Sequence, residues 1–113
     1  MLNEIDGAAG AVFEALADPA RRRVVAVLSG GPRRAGQLAA AAGMSAPAMS
    51  RHLRMLLAAG VVEDERIEAD ARARVFRLRP QSLVAAQAWL DQIQAEWNSQ
   101  LASFKRHVEE GVR

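Results

Sequence analysis

The chain has 113 residues, half of them hydrophobic, with 15 basic and 13 acidic side chains and no cysteine. That length allows one small domain with a modest core, and the lack of cysteine excludes disulfides, thiol redox chemistry and thiolate metal sites. The formal charge is only +2, and the pI of 10.4 overstates basicity, because with no Tyr, no Cys and a single lysine (Lys105) almost nothing titrates between neutrality and the arginines.

The distribution of charge says more than its total. Residues 1–60 hold seven Arg against four acids, residues 61–80 five against five, and residues 81–113 three bases against four acids. The positive excess therefore sits in the first half, and it is arginine, whose planar fork suits phosphates and guanine edges. Residues 1–7 carry Glu4 and Asp6 and no basic cluster, so no signal peptide is expected. No apolar run approaches membrane-spanning length, so the expectation is a cytoplasmic protein with no membrane partner.

Residues 8–16 read as a first helix with Val12, Phe13 and Leu16 apolar. Asp18 can cap a second that starts at Pro19 and runs to about Ser29, with Val24, Val27 and Leu28 facing in; Gly30-Gly31-Pro32 breaks it. The Arg21-Arg22-Arg23 run is expected to be a solvated face. Residues 33–42 read as a short third helix anchored by Leu38, although Arg33 and Arg34 at its start cap poorly and oppose the helix dipole, a conflict that a phosphate relieves if this helix crosses the DNA backbone. Gly43-Met44 forms a tight joint into Ser45.

Residues 45–60, S-A-P-A-M-S-R-H-L-R-M-L-L-A-A-G, are the most informative stretch. Ser45 is a good N-cap, Pro47 sits in the first turn where its missing donor costs little, and Gly60 marks the end. Met49, Leu53 and Leu56 recur at helical spacing and face the core. Arg51 and Arg54 fall well over 90° from Met49, with Ser50 and His52 at the edges of the apolar stripe. That side offers hydroxyl, guanidinium and imidazole donors and no acid, which favours a polyanion. Two helices joined by a short glycine-containing turn match the helix-turn-helix plan, in which the second helix enters the major groove.

Residues 61–68 and 73–79 read as two strands of a hairpin joined near residues 69–72, and a hairpin after a recognition helix is a wing. Arg72 and Arg74 are its candidate DNA contacts. Glu63, Asp64, Glu65, Glu68 and Asp70 would repel phosphate if they faced it, so they are expected to pair with Arg66, Arg74 or Arg77 across the strands. Residues 81–110 form one long helix. Along it Ala86, Leu90, Ile93, Trp97, Leu101, Phe104 and Val108 step by three or four, with Trp89 flanking. This stripe packs either on the chain's own helices or against a second copy. The two-fold seam is preferred, formed by Val12, Phe13 and Leu16 with Leu90, Ile93, Trp97, Leu101 and Phe104, because paired recognition helices must be held about 34 Å apart to read successive major grooves. A ligand pocket at Trp89 and Trp97 ranks third.

Four segments carry a family resemblance: Leu16-Ala17-Asp18-Pro19-Ala20-Arg21-Arg22-Arg23, Gly36-Gln37-Leu38-Ala39, Ser45-Ala46-Pro47-Ala48-Met49-Ser50-Arg51-His52-Leu53 and Ala59-Gly60-Val61-Val62. Together they resemble the ArsR family of bacterial winged-helix repressors, over residues 13–79 in order and in register. Trp89-Leu90, Trp97, Leu101 and Phe104 look like the end of a subgroup that mostly lacks metal-ligand motifs. The resemblance implies a homodimeric DNA-binding regulator that releases its operator when an effector binds. It also implies a wing tip with Arg beside Gly, and here the hairpin has no Gly. The family's thiolate pair would fall near Arg34 and Gly36, and its other metal site needs paired Asp and His on the last helix, where His107 stands alone; neither is expected to hold metal.

Ser50 and His52 point to different faces and cannot act as nucleophile and base, and there is no Gly-rich phosphate loop, so no catalytic residue or cofactor is expected. The expected fold is mainly helical with a small β-hairpin: a single winged helix-turn-helix domain over residues 1–113, about five helices plus a two-stranded wing, with residues 8–79 as DNA-binding core and residues 81–110 as dimerisation helix. The expected partners are double-stranded operator DNA, a second copy, and an effector, small molecule or ion, of unidentified chemistry. Ser45, Ala46, Pro47, Ser50, Arg51, His52 and Arg54 are the major-groove candidates, with Ser45 and His52 favouring phosphates. The alternative is a winged-helix module that binds another protein and little or no DNA.

Overall fold

A computed structural model describes residues 7–67 and 73–111. Five helices and a three-stranded antiparallel sheet follow in the order α1 (Gly7–Leu16), α2 (Pro19–Leu28), β1 (Arg33–Arg34), α3 (Ala35–Ala42), α4 (Ala46–Ala58), β2 (Val62–Arg66), β3 (Arg74–Leu78) and α5 (Pro80–Gly111). The junction near residues 69–72, and with it Arg72, Glu68 and Asp70, lies outside the described residues.

Each helix boundary near the centre has a local cause. Asp18 caps α2: its Oδ1 accepts from the Ala20 amide at 2.7 Å and from the Arg21 amide at 3.4 Å, satisfying orphan donors of the first turn. Helix α3 ends at Gly43 with φ 66°, where the Gly43 amide donates to the Ala40 carbonyl and the Met44 amide to the Ala39 carbonyl. Helix α4 ends the same way at Gly60, φ 76°, with Gly60 donating to Leu57 and Val61 to Leu56. Both are Schellman turns, whose left-handed residue costs least as glycine. Between them the connection is only Gly43, Met44 and Ser45.

The sheet departs from the expected two strands. Arg33 and Arg34 do not open α3; they pair with Phe76 and Val75 as β1 and give the order β1-β3-β2. Arg34 is extended (φ −82°, ψ 156°), and its amide donates to the Gln37 side-chain oxygen at 2.9 Å. Arg34 is still the N-cap of α3 and, as expected of an arginine, makes no side-chain cap; only its own amide is satisfied, by Gln37.

Among the described residues, thirteen buried ones form one core. It includes Val12, Val24, Leu28, Leu38, Met49 and Leu56, with Phe76 closing it from the sheet. Val12, expected at a dimer seam, is 1% exposed and enclosed by this core, which leaves it no surface for a second copy. Phe13 and Leu16 are only partly buried and pack on the core's edge, and Phe13 meets Trp89 edge-to-face at 5.3 Å. That contact lies where α1 packs on the first half of α5.

Arg21 corrects the expectation of a solvated basic run. It is 8% exposed; Nε donates to the Ala15 carbonyl at 2.6 Å, and the guanidinium also reaches the Glu14 carbonyl and the Met55 sulfur. It therefore caps the last carbonyls of α1 while bracing α4. Arg22 and Arg23 are exposed, as expected. The signal for Arg21 was in its spacing, since residues 21, 24 and 28 share one helical face with Val24 and Leu28.

Past Leu90, every described residue of α5 is exposed. A 32-residue helix is roughly 48 Å long, and the protomer measures 74 × 25 × 25 Å. Its radius of gyration is 19.7 Å, against about 13 Å for a compact chain of this length. Leu90, Ile93, Trp97, Leu101, Phe104 and Val108 stand 42–66% exposed along this projecting rod.

Two outcomes are expected. Arg21→Met, which keeps bulk but removes the donors, lowers unfolding free energy by about 1 to 3 kcal/mol because buried carbonyls lose their partners, whereas Arg23→Ala changes it by less than about 0.5 kcal/mol; urea denaturation separates them. The hydrogen bond from the Ala20 amide, aided by the Arg21 amide and the Arg21 and His52 charges, holds the Asp18 carboxyl below its ordinary range. A carboxyl lowered in the native state stabilises above its unfolded value and ceases to as pH falls through the native one. Asp18→Ala should therefore lower Tm at neutral pH, with the deficit shrinking below about pH 4.

Candidate nucleic-acid interface

One face of α4 is held down and the opposite face is free. Met49, Leu53 and Leu56 are 0–3% exposed, while Ser45, Ala46, Pro47, Ser50, Arg51 and Arg54 are exposed. The helix contains no acidic residue. Ser45 Oγ accepts from the Ala48 amide at 3.3 Å, and Pro47 has no N–H to satisfy, so the cap is formed at the positive end of the helix dipole.

His52 does not share that face. It is half-buried, its Nδ1 is enclosed without a hydrogen-bond partner, and it lies close enough to Asp18 to help hold that carboxyl charged. Its place at the edge of the apolar stripe turns it toward the start of α2.

The wing behaves as its acids predict. Arg74 Nε donates to Asp64 Oδ2 at 2.7 Å, and the same guanidinium stacks over Phe76 at 5.1 Å. Arg77 pairs with Glu63 at 3.5 Å and with Glu65. Register explains this: Glu63 lies opposite Arg77, and Asp64 opposite Phe76 beside Arg74. Arg74 thus presents a charge already partnered by Asp64. Arg66 faces Arg74 across the strands.

The free arginine charge lies elsewhere. Arg34, at the start of α3, lines with Arg51, Arg54 and Arg74 a groove of about 990 Å³ between α3, α4 and β3. Among the described residues no carboxylate pairs with Arg34, Arg51 or Arg54. Sequence reasoning placed Arg34 in a helix and offered it a backbone phosphate, but not a place beside Arg51 and Arg54; the signal for that is the pairing of β1 with β3, which is non-local. Among the described residues no three His, Asp or Glu side chains come together as a cation site, and no helix is long and apolar enough to cross a membrane.

Comparison with known proteins agrees with this geometry. A helix-turn-helix domain family matches residues 16–65, from the end of α1 into β2. The HTH-type transcriptional regulator Rv2034 of Mycobacterium tuberculosis is 36% identical over 97 residues, covering 86% of this chain and 85% of its own length. An ArsR-like transcriptional regulator from Rhodococcus sp. RHA1 superposes with a TM-score of 0.77 at 30% identity, over 88% of this chain and 91% of that one. The chain belongs to the ArsR family of winged helix-turn-helix transcriptional regulators. Another neighbour, the homodimeric winged helix-turn-helix DNA-binding domain Mb0332 of Mycobacterium bovis, has a TM-score of 0.60 at 27% identity over 82% of each chain. In this ArsR-family member the helix-turn-helix is therefore α3 and α4, and β2 and β3 are the wing.

Proposed function

We propose that this ArsR-family regulator is a homodimeric repressor, acting in the cytoplasm, that binds an inverted-repeat operator and is released by an effector. The observation that carries this reading is the exposed, acid-free face of α4, with Ser50, Arg51 and Arg54 clear of the core. Each subunit lays that face in a major groove, with Ala46 and Pro47 at the leading turn and the Ser45 cap against the phosphate backbone. Bound over a promoter, the dimer excludes RNA polymerase.

Pairing through α5 supplies the spacing. The Mb0332 domain is homodimeric, and here six large apolar side chains on α5 stand 42–66% exposed. A seam of Leu90, Ile93, Trp97, Leu101 and Phe104, flanked by Phe13 and Leu16 of α1, removes them from water and holds two recognition helices about one DNA turn apart. The partnered arginines of the wing support a second reading, a protein-binding module with weak DNA affinity. Salt dependence separates the two.

With an operator recovered by genomic footprinting, Arg51→Ala or Arg54→Ala should weaken binding by about 1 to 3 kcal/mol and relax preference at one base pair per half-site; a uniform loss on all sequences would make that residue a phosphate contact. With about five phosphates neutralised per half-site, log K should fall against log salt by about 0.9 for each, and a flat response would favour the protein-binding module. Trp97→Glu should raise the dimer dissociation constant by about 30-fold or more, the cost of a central apolar anchor, whereas Ser99→Ala on the opposite face of α5 leaves it unchanged; sedimentation equilibrium reads both.

A further inference from the structure

The groove between α3, α4 and β3 has a chemistry that a plain duplex-binding surface does not require. Its accessible apolar floor is made by Pro47 and half-buried Leu57, with Leu53 and Phe76 buried beneath, and the exposed Arg34, Arg51, Arg54 and Arg74 line it as well. None of the residues lining it is acidic. A duplex presents phosphates and base edges, which use the rim; the sunken apolar floor has no counterpart in a phosphate backbone. At about 990 Å³ the groove is of the size that accepts a whole small organic molecule.

We propose that this groove is a binding site for amphipathic organic anions, a carboxylate head on a flat apolar body, and that such an anion is the effector class. The proposal rests on the DNA-binding reading above only for its regulatory consequence, not for the site. The carboxylate sits between Arg34 and Arg54, where charge-assisted hydrogen bonds from two planar forks are available. The apolar body covers Leu57 and Pro47, and the Arg74 guanidinium, held over the buried Phe76 ring at 5.1 Å, closes the far side. A neutral apolar molecule would leave the arginines unused, and a bare inorganic anion would leave the floor wet. Because Ser50, Arg51 and Arg54 serve both surfaces, anion and DNA compete for the same side chains. Release then needs no change of fold: the apparent dissociation constant for DNA rises in proportion to one plus the ratio of anion concentration to its own dissociation constant.

The test uses 2-naphthoate as probe, with 2-naphthylmethanol as its neutral counterpart and acetate as the head alone, titrated into the isotope-labelled full chain and followed by amide and indole NMR signals. Saturable naphthoate binding, one per chain, should shift the amides of Gly36, Ser50 and Leu57 and leave the Trp97 indole in place. The alcohol should bind about tenfold more weakly or worse for want of the charge-assisted bonds, acetate more weakly still, and Leu57→Gln should weaken naphthoate about tenfold with helical content unchanged. Shifts confined to the Trp89 and Trp97 indoles, equal binding of alcohol and carboxylate, or no saturable binding overturns the proposal. A random-sequence DNA duplex at low salt is titrated separately. Naphthoate seated in the groove of a chain that does not bind DNA upholds the site and defeats the repressor reading, and DNA binding without groove shifts does the reverse.

Discussion

The orientation of α4 depends on three side chains. Met49, Leu53 and Leu56 are sunk in a core built from α1, α2, α3 and the sheet, and burying each contributes on the order of 2 kcal/mol. Turning the helix by half a revolution would forfeit roughly 6 kcal/mol and drive Arg51 and Arg54 into an apolar interior without partners. That is a large share of the roughly 5 to 15 kcal/mol by which such domains are stable at all. The guanidinium face is held outward because its opposite face cannot be exposed.

What sets the position of that rod, rather than its rotation, is a set of short covalent and polar constraints. Three residues connect α3 to α4, and the left-handed turn at Gly43 followed by the Ser45 cap leaves the chain little choice of angle. A second glycine turn at Gly60 sends the chain directly into β2, where the Arg79 amide donates to the Val61 carbonyl at 2.8 Å and ties the base of the wing to the end of α4. Arg21 adds a brace from below, joining the end of α1 to Met55. A cation from a basic run thus serves the scaffold, while the arginines left free for a ligand, Arg34, Arg51 and Arg54, come from two different elements, β1 and α4.

The wing and α5 divide the remaining work. Cross-strand ion pairs partner Arg74 and Arg77, so the sheet contributes less free charge than its five arginines suggest. Exposed pairs of this kind add little stability; their larger consequence is to leave Arg34, Arg51 and Arg54 as the concentrated positive charge of that face. At the other end, α5 spends its first half on α1 and projects the rest, a division visible in the single buried residue, Ala86, that the whole 32-residue helix contains.

Five helices, their order and most of their ends were legible in the sequence, because capping residues, glycine stops and 3.6-residue periodicity are local and act on neighbouring positions only. Ser45, Gly60, Asp18 and the acid-free face of α4 belong to that class, and so does the resemblance that named the family. The two-residue strand β1 was not, since two residues carry no alternation and their partners lie some forty positions away in β3. Nor was the full enclosure of Val12, or which carbonyls and sulfur Arg21 meets, which hang on how α1, α2 and α4 come together, or the half-burial of His52. Local patterns in the chain were enough to set which side of each helix is apolar and where the chain must turn. Only the tertiary structure decided which arginines are spent on carbonyls and carboxylates and which converge on one groove, because those partners are brought together by contacts between elements that no local pattern encodes.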